Sequence, residues 1–245
     1  MLWARTAVLP EAIEIAGRIV PVVAQRRAGA RSVRLRANPV AGAIEISLPT
    51  RGGADVAAAL LKANHAWIAA RVAGWPRPLP YVPGGRLPID GLPVLIDWAP
   101  AHPRTPTLLD GALRLGGPAE ALAGRVERWL KARARTDLEA RTHATAARVE
   151  RPVAAVRIGD PAARWGSCAG SGTAGGARIA YSWRLILAPD WVRQSVVAHE
   201  VAHLVHANHS PAFHALNRSL DPDAAEARRW LARNGAALHW VGRAG

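Results

Sequence analysis

The sequence predicts an α+β chain, β-rich over residues 1–115 and helix-rich over residues 116–245. Three observations carry this. Apolar residues alternate with polar ones in the first fifty positions. A Gly- and Pro-rich stretch at 74–93 admits no long helix. From Pro118 onward the apolar residues recur at helical spacing.

Taken in order, Val33 and Leu35 alternate with Arg34 and Arg36, and Ile44, Ile46 and Leu48 alternate with Glu45 and Ser47. With Asn38 to Gly42 between them, these runs read as a β-hairpin with one face in the core. Arg31, Arg34 and Arg36 then form a solvated face. Asp55 is placed to cap one helix running through Leu60, Leu61, Trp67, Ile68 and Val72. His65 stands alone there and reads as structural. Short strands follow at 94–98 and around 108–113, where Asp110-Gly111 signals a tight hairpin. Leu122, Val126, Trp129, Leu130 and Leu138 make a helical stripe. Val153, Ala155 and Ile158 suggest one strand, and Ile179, Tyr181 and Trp183 another. Between them lie Arg164-Trp165-Gly166-Ser167-Cys168 and a loop, 169–176, built of Gly, Ala, Ser and Thr. Pro189-Asp190 opens a helix that Asn208 ends, Ser210-Pro211 starts the next, and Asp221-Pro222 opens a last helix ending at Asn234-Gly235.

The helix after Pro189 contains His199-Glu200-Val201-Ala202-His203. Residues four apart share a helical face, so His199 and His203 can grip one cation, most plausibly Zn2+ at about 2.0–2.1 Å from each nitrogen. Glu200 projects beside the ion, where it can take a proton from a water the metal has acidified. The neighbours from Ser195 to Val205 are uncharged and mostly apolar, so the helix reads as buried, and buried imidazoles and carboxylates need partners. A catalytic zinc needs a third protein ligand. His209, past the helix end, gives His-Glu-x-x-His-x5-His, the metzincin ligand spacing. His206 stands where that class has glycine, and Met1 is the only methionine, so no methionine turn exists. His206 and a downstream carboxylate such as Glu226 remain alternatives for the third position.

No apolar run approaches the roughly 20 residues of a membrane span. Charges and prolines break the first 23 residues, which do not resemble a secretory signal. Cys168 is the sole cysteine, so no internal disulfide forms. Together these suggest a cytoplasmic protein. The formal charge is +14, divided as +7 over 1–115 (14 basic, 7 acidic) and +7 over 116–245 (18 basic, 11 acidic). Such a surface is solvated or attracts anionic partners: nucleic acid, nucleotides or acidic peptides.

Arg164-Trp165-Gly166-Ser167-Cys168, Trp183-Arg184-Leu185-Ile186-Leu187-Ala188-Pro189, the His-Glu-x-x-His segment and Asn208-His209-Ser210-Pro211-Ala212-Phe213 follow one another in that order. This series resembles the YgjP-like, or SprT-type, zinc metallopeptidases of bacteria, and Ala66-Trp67-Ile68 is compatible with them. The resemblance implies a zincin-like catalytic domain with a small sheet beside the metal helix. It implies His199, His203 and His209 as metal ligands, Glu200 as general base, and Trp165, Gly166 and Ser167 near the cleft where substrate binds. Two features depart from the pattern: His214 stands where tryptophan commonly follows phenylalanine, and the loop at 169–176 is long. Gly166 allows close backbone approach; Cys168 reads as packing. Arg164, Tyr181 and His214 are candidates for stabilising an oxyanion.

The favoured function is therefore hydrolysis of peptide bonds by Glu-activated, metal-bound water. The alternatives are a metal-dependent phosphohydrolase acting on nucleotides, for which the chain lacks a phosphate-binding glycine loop and a carboxylate cluster for magnesium, and a DNA-associated protease, for which it lacks zinc-finger cysteines and a concentrated basic arm.

Overall fold

The computed structural model describes residues 9–170 and 176–244. Within them are six α-helices and three small sheets, a mixed α+β architecture. The chain divides into two compact units, Met1–Pro76 and Arg77–Gly245.

The first unit holds β1 (Ala12–Ile15), β2 (Arg18–Arg26), β3 (Arg34–Asn38) and β4 (Ala43–Leu48), in the order β1-β2-β4-β3. The hairpin expected around Asn38 to Gly42 forms, with Leu35 opposite Ile46 and Ala37 opposite Ile44. β2, in a stretch where no strand was expected, runs parallel to β4. Ile44, Ile46 and Leu48 are buried, as are Val20 and Val22. The single helix expected through Asp55 and Val72 is two: α1 (Ala54–Ala63) and α2 (His65–Ala73). Asn64 leaves helical geometry at φ −103°, ψ 17°, and its side-chain amide donates to the Leu60 carbonyl at 2.9 Å. Nor is Asp55 the cap. Left-handed Gly53 (φ 81°) precedes the helix, and Asp55 sits inside the first turn, where its charge favours the N-terminal dipole.

In the second unit, β5 (Arg86–Ile89), β6 (Leu92–Trp98), β7 (Thr107–Leu109) and β8 (Ala112–Leu115) pair in the order β5-β6-β8-β7. Asp110-Gly111 makes the expected tight turn, both residues at positive φ, and Asp90-Gly91 makes a second one inside the Gly/Pro-rich stretch. Next come α3 (Leu122–Ala147), β9 (Val153–Gly159), β10 (Gly166–Ala169), β11 (Ala177–Ser182), α4 (Asp190–Ala202), α5 (Pro211–Leu220) and α6 (Ala224–Leu238). The third sheet is β10-β11-β9, with β10 at its edge. The long loop expected at 169–176 falls mostly on 171–175, outside the described residues.

The division expected between residues 115 and 116 does not coincide with that between the compact units. Val94, Ile96, Leu113 and Leu115 join one core with Leu122, Val126 and Leu130, and with Ile179, Trp183 and Val197. A four-stranded sheet with one apolar face needs a partner layer, and α3 supplies it. Two helix ends also differ from expectation. α4 stops at Ala202 rather than near Asn208, its chain tightening through bonds from Leu204 to Val201 and from Val205 to Ala202. α6 runs through Gly235 to Leu238. Gly235 is not a cap but a seat: a Cβ there would lie 2.8 Å from Trp165 Cζ2.

α4 is buried along nearly its whole length, from Val192 to Ala202. Its position is fixed at its first turn. Arg193, 2% exposed, lies 2.8 Å from Asp90 Oδ1, 2.8 Å from Asp137 Oδ2 and 2.9 Å from Asp190 Oδ1. Arg133 donates to Asp90 at 2.7 Å, and Arg141 bridges Asp137 and Asp190. Asp90 and Gly91 also donate their backbone N–H groups to the Ile186 and Leu187 carbonyls just ahead of α4. Arg193→Ala would leave the aspartates without their shared buried cation. Because those carboxylates are partly exposed, the expected loss is about 3 kcal/mol, the lower end for a broken buried pair, read as a lower urea midpoint at unchanged slope.

Candidate metal centre

The final turn of α4 presents His199 and Glu200, and His203 follows at its C-terminal cap. The chain turns at once. Ser210 caps α5, its hydroxyl accepting from the Phe213 N–H at 3.3 Å, with Pro211 in the first turn. That cap returns His209 to the helix it left. Potential ligand atoms of His199, His203 and His209 lie within 4.8 Å of one another, the one such cluster among the described residues. Fully buried Phe213 backs all three rings, with centroids 5.1, 4.5 and 4.8 Å away.

The donor set fits a cation. His209 Nε2 and His199 Nε2 are 3.2 Å apart, close to the edge of about 3.3 Å expected for nitrogens about 2.0 Å from a tetrahedral ion. His203 Nδ1 lies 3.0 Å from the His206 carbonyl, so the proton belongs on Nδ1 and the Nε2 lone pair is left for an ion. His206 thus contributes its backbone, not its ring. Glu226 sits in the first turn of α6 and does not join the cluster. His199 is pushed down to about 4, by burial first and then by its neighbouring imidazoles and Arg228; His203 is also lowered, chiefly by burial. Both rings are therefore neutral at pH 7, as ligands must be.

Glu200 is 5% exposed. Burial raises its carboxyl to about 7 against the pull of Arg164, so at neutral pH it can both accept and release a proton. The space it occupies is set by Gly166: a Cβ on that residue would lie 2.5 Å from Glu200 Oε1. The glycine of the Trp-Gly-Ser-Cys segment is there for the carboxyl group of α4.

The other marked residues divide. Trp165 and Gly166 line a cavity of about 420 Å³ together with His199 and Glu200. Ser167 lies in β10 opposite Ala180 and is not among the residues lining it. Cys168 packs against the core, its thiol raised to about 11 by burial and by the charge of Glu200, so it is no thiolate. Tyr181 is buried with its hydroxyl 3.1 Å from Thr142 Oγ1, a group already engaged within the core. His214 stacks on His209 at 6.2 Å, and exposed Arg164 acts on Glu200 through charge.

The family model described as YgjP-like, metallopeptidase domain matches residues 31–234. The chain belongs to the YgjP-like metallopeptidase family. No curated protein and no solved structure matches it. The match extends from just ahead of β3 into α6, across both compact units. A metal cofactor follows from membership, and the three imidazoles are the residues that can hold one. Phe213 belongs to a motif quoted above, but its place behind the three rings was not legible there; Asn217 and the wall supplied by α6 lie outside those motifs. A signal for the last was present: Ala224, Ala227, Arg228 and Leu231 are spaced i, i+3, i+4, i+7 and share one helical face.

Gly166→Ala leaves the backbone conformation available and changes only the space beside Glu200. It is expected to cost about 1–3 kcal/mol in denaturant unfolding while Co2+ still binds, seen by its visible absorption. His239, in ring contact with Trp165 at 5.2 Å, is pushed down to about 4 by burial and then by Arg184. Its neutral form is favoured by folding, so its contribution is complete above about pH 6.5 and is lost as the pH falls toward 4. In His239→Phe, the stability difference from wild type should close by about 3 kcal/mol over that window, measured by urea titration at each pH.

Proposed function

We propose that this chain is a zinc-dependent peptidase with a zincin-like catalytic domain in its second unit, His199, His203 and His209 as ligands and Glu200 as general base. The observation that carries the reading is a buried carboxyl, Glu200, next to His199 on a helix whose His199 and His203 converge with His209. A bound zinc ion would supply Lewis acidity, polarising a carbonyl and acidifying water. Glu200 takes the water's proton on a carboxylate oxygen and returns it to the departing amine. β10 ends its sheet, so an extended substrate can add alongside Trp165, Gly166 and Ser167 as a further strand. Arg164, whose charge acts on Glu200, and His214, stacked on His209, are the remaining candidates for meeting developing negative charge.

The cavity's walls include Val196, Ala227 and Leu231, which suit a peptide side chain better than a nucleotide phosphate. The +14 charge would act on anionic partners, nucleic acid among them, as a diffuse field. No helix among the described residues is long and apolar enough to cross a membrane, and a lone thiol suits the cytoplasm. Glu200→Gln should retain one equivalent of zinc by metal analysis and lose roughly 10²–10⁴-fold in turnover on a peptide library. Cleavage at the wild-type rate by purified Glu200→Gln protein would end the proposal.

A further inference from the structure

Most of the +14 charge is spread along the chain, but one place in the first unit gathers it. Five of the ten basic residues within 1–76 lie between Arg26 and Arg36, an interval with no acidic residue. The sheet topology folds that interval onto itself. β2 and β3 both flank β4, so the chain between them crosses the end of β4. Arg27 donates its backbone N–H to the Leu48 carbonyl at 2.9 Å, a turn with left-handed Gly29 (φ 80°) follows, and Arg34 comes to lie opposite Ser47. The crossing encloses a cavity of about 390 Å³, within the roughly 300–1,000 Å³ typical of ligand sites. Arg27, Arg31, Arg34, Ser32 and Ser47 line it, with the Ala-Gly-Ala of residues 28–30.

No carboxylate lines this cavity. The three arginines are exposed, and among the described residues none of their guanidinium groups has an ion pair or a hydrogen bond. Glu45, two residues before Ser47 on the same strand face, is engaged by Arg36 at 3.9 Å and by Asn38 at 2.6 Å. Arg26 donates to the Pro49 and Gly52 carbonyls, which leaves its charge uncancelled. Like charges gathered in this way repel one another, and an entering anion relieves them. The planar fork of a guanidinium matches phosphate oxygens two at a time, and serine hydroxyls can donate to the same group. What is missing also restricts the ligand. The lining has no aromatic ring to stack a base and no large apolar side chain to hold an acyl chain. Its concavity suits a strand of phosphates better than a flat lipid surface. Exposed guanidiniums hold one small anion weakly because water competes, whereas a polymer presenting phosphates in series gathers several contacts and releases a counterion at each.

We propose that the crossing between β2 and β3 is a nucleic-acid contact, its cavity seating the phosphodiester backbone without reading base sequence. Arg27, Arg31 and Arg34 carry the contact. The site is independent of the peptidase chemistry, and residues 27–30 lie ahead of the segment that the metallopeptidase family model matches.

The test is fluorescence anisotropy of labelled DNA of about 20 nucleotides, in two unrelated sequences, with the full-length protein at about 50 mM salt. Both sequences should bind alike. The joint change Arg27→Ala, Arg31→Ala and Arg34→Ala should weaken binding about tenfold or more and flatten the slope of log Kd against log salt by about 2–3. Removing equal charge from exposed positions elsewhere, with Arg104→Ala, Arg151→Ala and Arg157→Ala together, should change affinity by less than about threefold. Ser47→Glu keeps all three arginines and sets a carboxylate among them; it should also weaken binding about tenfold, at an unchanged urea midpoint. If the first triple variant does not fold, Ser47→Glu decides: that loss of affinity upholds the site, and unchanged affinity overturns it. Four results would overturn the assignment: no binding at low salt, equal losses in the two triple variants, polyglutamate competing as well as unlabelled DNA of equal charge, or anionic phospholipid vesicles binding the protein more tightly than DNA does.

Discussion

Burial of α4 is the constraint from which the site follows. A helix buried along most of its length must bring its polar groups into contact with something, since each unpaired one costs free energy. At one end Arg193 is met by aspartates from α3, from the turn between β5 and β6, and from α4 itself. At the other end the histidines meet one another and His209. Between the two ends Val196, Val197 and Ala198 are held in the core that includes Ile179, Trp183 and Leu185. The ionic anchor fixes where the helix begins, and a rigid helix carries that placement about two turns from Arg193 to His199.

Glu200 shows how the same burial becomes reactivity. Removing water from around a carboxyl group disfavours its charged form, and here that brings it to about 7. The protein accepts that cost beside a cluster of three imidazoles. It also sacrifices side-chain packing to make the arrangement fit: Gly166 yields its Cβ space to Glu200, and Gly235 yields its own to Trp165. These two glycines, far apart in sequence, set the near wall of one cavity. Neither has a positive φ. Their role is room, not backbone freedom.

Local patterns were the legible part. The tight turn at Asp110-Gly111, the stripe of α3, and the Ser210-Pro211 cap that returns His209 all follow from rules that span a few residues. Where expectation and structure part, a contact that the apolar periodicity and cap signals do not encode had decided, close in sequence in some cases and distant in others. Asn208 looked like a helix end, but the turn after Ala202 closed earlier, with the His206 carbonyl meeting His203 Nδ1. Gly235 looked like a cap until Trp165 was laid over it. The strands after residue 77 fall within the β-rich stretch expected over residues 1–115. They pack instead with α3, and no local pattern says which layer a sheet will face.

By itself, then, the sequence determined the chemistry that can be offered: two imidazoles and a carboxyl at helical spacing, a third imidazole just beyond, and an apolar helix that forces them to find partners. Those properties depend on spacing along the chain, which the peptide geometry fixes. The tertiary structure alone decided that His209 rather than the His206 ring joins the cluster, that Gly166 gives way to Glu200, and that α6 walls a cavity beside them. Such pairings join residues tens of positions apart, and they are settled only when the core closes and excludes every arrangement that would leave a void or an unmet polar group.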